Sequence, residues 1–233
     1  MQGARLYPAY LSTTKTPGSF GSEPSQTQVD DPLDAAFEGF LQAQRDTLAL
    51  YKTHSNFDDP LARAEAYRGL LYTIVGSIKA GALMSHDYPR TMRGVDWTSK
   101  AGLDNPDNNY FFALLDDEGS YRLTGKRGNT TQLIFQLVIG VPGVGDAGSS
   151  TNVSVLYADE MEMDDDGNFE IIVSPERPEG VANWMKNAPG AESLLVRFTH
   201  SDWEKERLDH VCVRDFGALL YNTYMVKKLL LFR

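Results

Sequence analysis

Two polar stretches of this chain carry side chains suited to binding and proton transfer. The first is DNPDNNY (104–110), followed by Arg122 and the basic triplet KRG (126–128). The second is SPERPEGVANW (174–184), which joins Glu176, Arg177, Asn183 and Trp184 in one irregular connection. Long connections carrying charge and an indole are common binding-site material. Asp107 and Glu176 are the candidate catalytic acid and base. Tyr110, Arg122, Arg127, Arg177, Asn183 and Trp184 are the candidate ligand-binding residues. The competing reading is structural: Asx turns whose carboxylates are tied to Arg122 or Arg127, and a loop pinned by Trp184 and an Arg177 ion pair.

Other motifs fail on their context. GVGDAG (143–148) has the order G-x-G-x-x-G after an apolar run, but a dinucleotide site needs a helix next. The sequel SSTNVSVLY favours a strand, so the loop is expected to be a hairpin connection and no cofactor is expected. Glu162, Asp164, Asp166 and Gly167 imitate the start of a calcium loop. The position of the bidentate glutamate is Val173, and a strand follows where a helix is required, so a solvated hairpin turn is expected. His210 and Cys212 fall on one face of a strand with no third orienting group, and the four histidines show no close metal-ligand spacing. No metal is expected.

Side chains of this kind have to be held by folded elements, and composition bounds those. The chain has 233 residues, enough for one large domain with a helical annex. A net charge of −10 with scattered Lys and Arg argues against nucleic acid. The single cysteine excludes an internal disulfide and points to a cytoplasmic setting. No segment has the apolar length of a membrane helix.

Asp31-Pro32 and Asp59-Pro60 are helix-start signals, each followed by apolar residues at helical spacing. They predict an antiparallel hairpin over 31–85 behind a flexible leader at 1–30. The stretch from His86 to Asn109 reads as loop. Beyond it, seven short apolar segments separated by turn signals, with no helices between them, predict an antiparallel sandwich or jelly-roll-like sheet pair over 104–215. The fold class is therefore α+β. Residues 216–233 read as a C-terminal helix or an exposed tail.

The ordered elements RAEAYRGLLYTIV (63–75), DNPDNNYFFALLDDEGSYRLTGKRGN (104–129) and NFEIIVSPERPEGVANWMKNAPGAESLLVRFTHSDWEKER (168–207) resemble the bacterial family called domain of unknown function twelve-fourteen. The likeness runs from about residue 60 to 215. It implies a β-sandwich core and no established reaction. It also implies that longer relatives continue past the sandwich, which makes this chain a shortened form by comparison.

Three functions stay open. One is a cofactor-independent enzyme acting on a small apolar or carboxylate-bearing molecule, with an expected pocket between the helical hairpin and one sheet face that Tyr110, Arg122, Arg127, Asn183 and Trp184 would line. The second is a non-catalytic module holding such a ligand or a carbohydrate. The third is an interaction domain that forms a homo-oligomer through the sheet or the C-terminal segment.

Overall fold

The computed structural model describes residues 32–100, 104–140, 151–207 and 211–215. The leader at 1–30, Asp31, the GVGDAG loop, His210 and the 216–233 segment lie outside the described residues. Two helices come first, α1 (Pro32–Lys52) and α2 (Pro60–Ile78). Asp59 caps α2 as its sequence predicts: Oδ1 accepts from Leu61 N at 2.9 Å and Ala62 N at 2.8 Å, with Pro60 in the first turn. Neither helix fully buries a residue.

α2 passes into a π-helical turn, Lys79–Leu83, whose first residue ties the helix to a turn formed by residues 96–99. Lys79 Nζ donates to Asp96 Oδ2 at 2.8 Å and Ser99 Oγ at 2.7 Å. Burial alone would raise the Asp96 carboxyl, but the hydrogen bonds from Lys79 and Thr98 outweigh it and hold it well below the usual range.

Nine strands follow among the described residues: β1 (Met92–Val95), β2 (Asn108–Leu114), β3 (Tyr121–Lys126), β4 (Gln132–Ile139), β5 (Thr151–Tyr157), β6 (Asn168–Ser174), β7 (Trp184–Lys186), β8 (Ala191–Thr199) and β9 (Val211–Asp215). They form a five-stranded sheet in the order β1-β2-β8-β4-β5 and a four-stranded sheet in the order β7-β6-β3-β9. All pairs are antiparallel except β6 with β7, which run parallel. The fold is thus α+β with a β-sandwich core.

Two strands stand where the sequence reads as loop. β1 lies inside the His86–Asn109 stretch, and Gly94 lets it pass close over the Phe112 ring, which a Cβ there would overlap. β7 starts at Trp184, where the SPERPEGVANW connection ends, and three residues are too short for a period-2 pattern to register.

The core between the sheets is built by period-2 alternation. Tyr121 and Leu123 of β3 are buried while Arg122 and Thr124 face outward. Phe135 of β4 meets Phe169 of β6 edge-to-face at 5.4 Å, joining the two sheets. One end of the sandwich is closed by backbone-directed side chains. Asn187, fully buried, donates to Asp116 O at 2.8 Å and Gly119 O at 3.0 Å. Gly119 gives the Tyr121 ring its place, since a Cβ there would overlap the phenol end of that buried side chain.

Candidate functional site

The two candidate catalytic carboxylates sit at opposite ends of the sandwich. Asp107 immediately precedes β2, which runs to Leu114 and turns into β3 at Tyr121. Tyr121 pairs with Val173, and Glu176 follows three residues later. The seven residues of β2, at about 3.4 Å each, therefore separate the two by roughly 20 Å. The structure does not bring them to one substrate.

The candidate binding residues are engaged in the fold itself. Arg122 holds Glu170 across the outer face of the four-stranded sheet, and Arg127 meets Asp159 at 2.8 Å. Arg177 donates to Val181 O and Ala182 O, both at 2.9 Å, closing its own loop. Asn183 uses its whole amide: Oδ1 accepts from Glu162 N, and Nδ2 donates to Glu162 O and Glu170 O, each at 2.8 Å. Trp184 Nε1 donates to Ser174 Oγ at 3.0 Å. The Tyr110 hydroxyl accepts from Asn105 N at 3.2 Å and Asn108 Nδ2 at 3.0 Å, fixing the turn that enters β2.

Asn183 also borders an open hollow of about 660 Å³, with Thr124, Met163, Phe169, Glu162, Asp164 and Glu170 around it. Its carboxylates disfavour a carboxylate-bearing ligand. The calcium-like run is a hairpin turn: Asp164 Oδ1 accepts from Asp166 N at 3.0 Å and Asn168 N at 2.8 Å, and Gly167 takes φ +79°. Among the described residues, no group of three or more His, Cys, Asp or Glu is placed to hold a metal. Cys212 is an exposed free thiol on β9, beside the core residue Val213.

The densest polar cluster is at the Asp107 end, around His200, which carried no motif in the sequence. His200 continues the inward parity of Val196 and Phe198, as Asn109 continues that of Phe111, so the two cap the apolar core. That parity is the signal by which it could have been found. Asn109 Nδ2 lies 2.9 Å from His200 Nε2, and the Arg93 guanidinium donates to Asn109 Oδ1. With Asn109 donating, Nε2 is the acceptor and the ring proton lies on Nδ1. Nδ1 is buried without a hydrogen-bond partner, 3.8 Å from Glu206 Oε2. Burial holds the imidazole pKa below its ordinary value; Glu206 and Asp107 act against this and Arg93 with it.

Glu206 is a clamp. Its Oε1 accepts from Ser201 Oγ at 2.5 Å and Thr131 Oγ1 at 2.7 Å, and its Oε2 from Thr131 N at 3.0 Å. The Ser201 hydroxyl, then that of Thr131, lowers the carboxyl to about 2. So weak a base does little to activate a hydroxyl, and the His200 acceptor nitrogen is occupied by Asn109. The cluster has the residue types of nucleophilic catalysis without its connectivity.

The helices present a different surface. Leu50, Tyr51, His54, Phe57, Ala62 and Gly69 border a hollow of about 830 Å³ at the α1–α2 turn. On α2, Leu61 is 71% exposed and Leu71 62%. From Gly69 to Ile78 the helix carries no charged residue on any face. A charge-free stretch with exposed leucine and isoleucine is suited to being covered. No helix among the described residues is long and apolar enough to cross a membrane.

No family model matches the chain, and no curated protein matches it. Among solved structures, an uncharacterized protein from Burkholderia cenocepacia is similar at TM-score 0.71 and 27% identity, over 78% of this chain and 50% of that one. The chain thus spans about half the length of that protein. A protein from Vibrio parahaemolyticus aligns at TM-score 0.34 and 17% identity, over 49% of this chain and 32% of that one.

Proposed function

We propose that the chain is a non-catalytic interaction domain, in which the β-sandwich is the scaffold and α2 presents an apolar face to a polypeptide partner. The observation that carries this reading is the exposure of Leu61, Leu71 and Ile78 on a helix that is charge-free from Gly69 onward. Apolar side chains left in water along one helix are the kind of surface a partner covers. The Lys79–Asp96 ion pair moors the C-terminal end of α2 to the turn after β1, which gives the face a fixed base. The separation of Asp107 from Glu176, and the use of the arginines, Asn183 and Trp184 as internal ties, support binding over turnover. The same proposal takes the chain as kin to the twelve-fourteen domain family on its ordered sequence elements. The exposed thiol of Cys212 fits a reducing, cytoplasmic setting.

The test is the size of the protein in its source-cell extract. Wild-type chain is expected to sediment as a complex well above its 25.9 kDa monomer mass. A folded Leu61→Arg/Leu71→Arg variant is expected at the monomer position. Wild type sedimenting as a free monomer contradicts the reading.

A further inference from the structure

The buried His200 ring has unlike neighbours on its two sides. On the Nδ1 side stands the Glu206 carboxylate, 3.8 Å away, and the Trp203 indole is stacked on the ring with centroids 4.2 Å apart. Both suit a positive ring, the first as an anion and the second through its π face. On the Nε2 side stands Asn109, whose Nδ2 donates to the ring while its Oδ1 accepts from Arg93. The charged groups that face the ring are Arg93 from β1, Asp107 from the approach to β2 and Glu206 from the 201–207 loop. The head of β4 brings only Thr131 to the cluster, and Glu206 engages its hydroxyl.

We propose that His200 is a proton-operated release for β1: a proton taken up on Nε2 turns the Asn109 amide over and detaches Arg93. The neutral ring accepts a hydrogen bond at Nε2, and the imidazolium can only donate there. Asn109 Nδ2, 2.9 Å away, then sets N–H against N–H. Turning the amide over presents Oδ1 to the ring and Nδ2 to Arg93, where two donors again oppose each other. One of the two bonds has to go. Asn109 is 3% exposed and His200 2%, so neither reaches water for a new partner, whereas Arg93 is exposed and its guanidinium does. Glu206 and Trp203 meanwhile hold the charged ring in its place.

The lost link matters to β1. It is a four-residue edge strand that pairs only with β2 among the described residues. Its register shifts between Arg93 and Val95, which face the adjacent residues Phe111 and Tyr110, so Gly94 is the extra residue of a bulge. The Arg93–Asn109 bond reaches across that interruption of the ladder. β1 leads into the 96–99 turn that binds Lys79, so the released strand adjoins the base of α2. The coupling is reciprocal: detaching Arg93 removes a positive neighbour and makes His200 easier to protonate. This inference stands whether or not the α2 face binds a partner.

Hydrogen–deuterium exchange on the purified full chain between about pH 8 and 5, corrected for the pH dependence of free-peptide exchange, tests the proposal. In wild type the protection of Met92–Val95 is expected to fall on acidification by at most about tenfold per pH unit, the slope of one proton taken up, while Ala191–Thr199 of β8 keeps its protection. His200→Gln is expected to remove the pH dependence of β1. Asn109→Asp separates a release from a general loosening, because its carboxylate accepts from the imidazolium and the guanidinium together. In that variant β1 is expected to stay protected throughout, and the His200 imidazole resonance to titrate at higher pH than in wild type. A merely structural Asn109 predicts no such rescue. Far-UV circular dichroism checks that each variant folds, and the wild-type comparison of β1 with β8 stands on its own. Protection of β1 that does not change with pH, that falls equally in His200→Gln or in Asn109→Asp, or that falls only together with β8, overturns the proposal.

Discussion

The indole of Trp203 lies stacked on the imidazole of His200, centroids 4.2 Å apart, while its Nε1 donates to Asp107 Oδ1 at 3.2 Å. One aromatic side chain thus covers a buried histidine and ties the 201–207 loop to the entrance of β2. Together with the Glu206 clamp, this closes the end of the sandwich opposite Asn187.

Acid should open this end first. Burial keeps the folded His200 pKa below its ordinary 6.5, so the fold favours the neutral ring. Its contribution is full above pH 6.5 and is lost as pH falls through the folded value. The expected outcome is a denaturation midpoint that declines below that pH, with His200→Gln flattening this part of the profile. An unchanged profile in His200→Gln would show that another group titrates.

Glu206 gives a second, lower step. Its carboxyl is held at about 2 against an ordinary 4.5, so its contribution is present above pH 4.5 and is lost as pH falls towards 2. Glu206→Gln weakens the charge-assisted bonds to Ser201 and Thr131. Faster limited proteolysis between residues 201 and 207 at neutral pH, with the sandwich core intact, is the expected result.

Lys79→Ala removes the partner of a carboxylate whose side chain is only 16% exposed. An expected loss of ~1–3 kcal/mol comes from leaving a charged acceptor poorly satisfied. Asp96→Asn in the same background should recover part of it. Urea denaturation of the single and double variants measures both, and additive losses would mean the ion pair is not coupled.

Asn187→Ala removes a fully buried amide that donates to the carbonyls of Asp116 and Gly119, of which Asp116 O still accepts from Gly119 N at 3.0 Å. The expected cost is ~1–3 kcal/mol, from two hydrogen bonds at about 0.5–1.5 kcal/mol each. By contrast Glu176→Gln, at an exposed carboxylate, is expected within about 0.5 kcal/mol of wild type. Thermal unfolding of the two variants side by side checks the ranking.

The architecture was readable because alternation and turn chemistry are local. SYRLTGKR declares a strand by its period, TTQLIFQLVIG and NFEIIVS by short apolar runs between turn residues, and Asp59-Pro60 declares a helix start. Met92–Val95 and Trp184–Lys186 were hidden because each depends on a distant neighbour: Gly94 on the Phe112 ring, and Trp184 on its parallel partner Ile172. The candidate site was less readable for a related reason. Residue type shows what Arg122, Arg127 or Asn183 can bind, but their partners Glu170, Asp159 and Glu162 lie 48, 32 and 21 positions away. His200 shows no spacing motif in the sequence because its neighbours Asn109 and Glu206 converge only through the β2–β8 register and the fold of the 201–207 loop. The apolar stripe of α2 was visible throughout, and only the structure showed that the sandwich leaves it uncovered.

The central claim is that the apolar face of α2 is covered in the working protein, and thiol accessibility tests it most directly. In a Cys212→Ser background, Leu71→Cys lies on that face and Arg63→Cys lies off it. In source-cell extract the account predicts slow maleimide labelling at position 71 and fast labelling at position 63, with both fast once the protein is purified and diluted. Equal, fast labelling of the two positions in extract would contradict it.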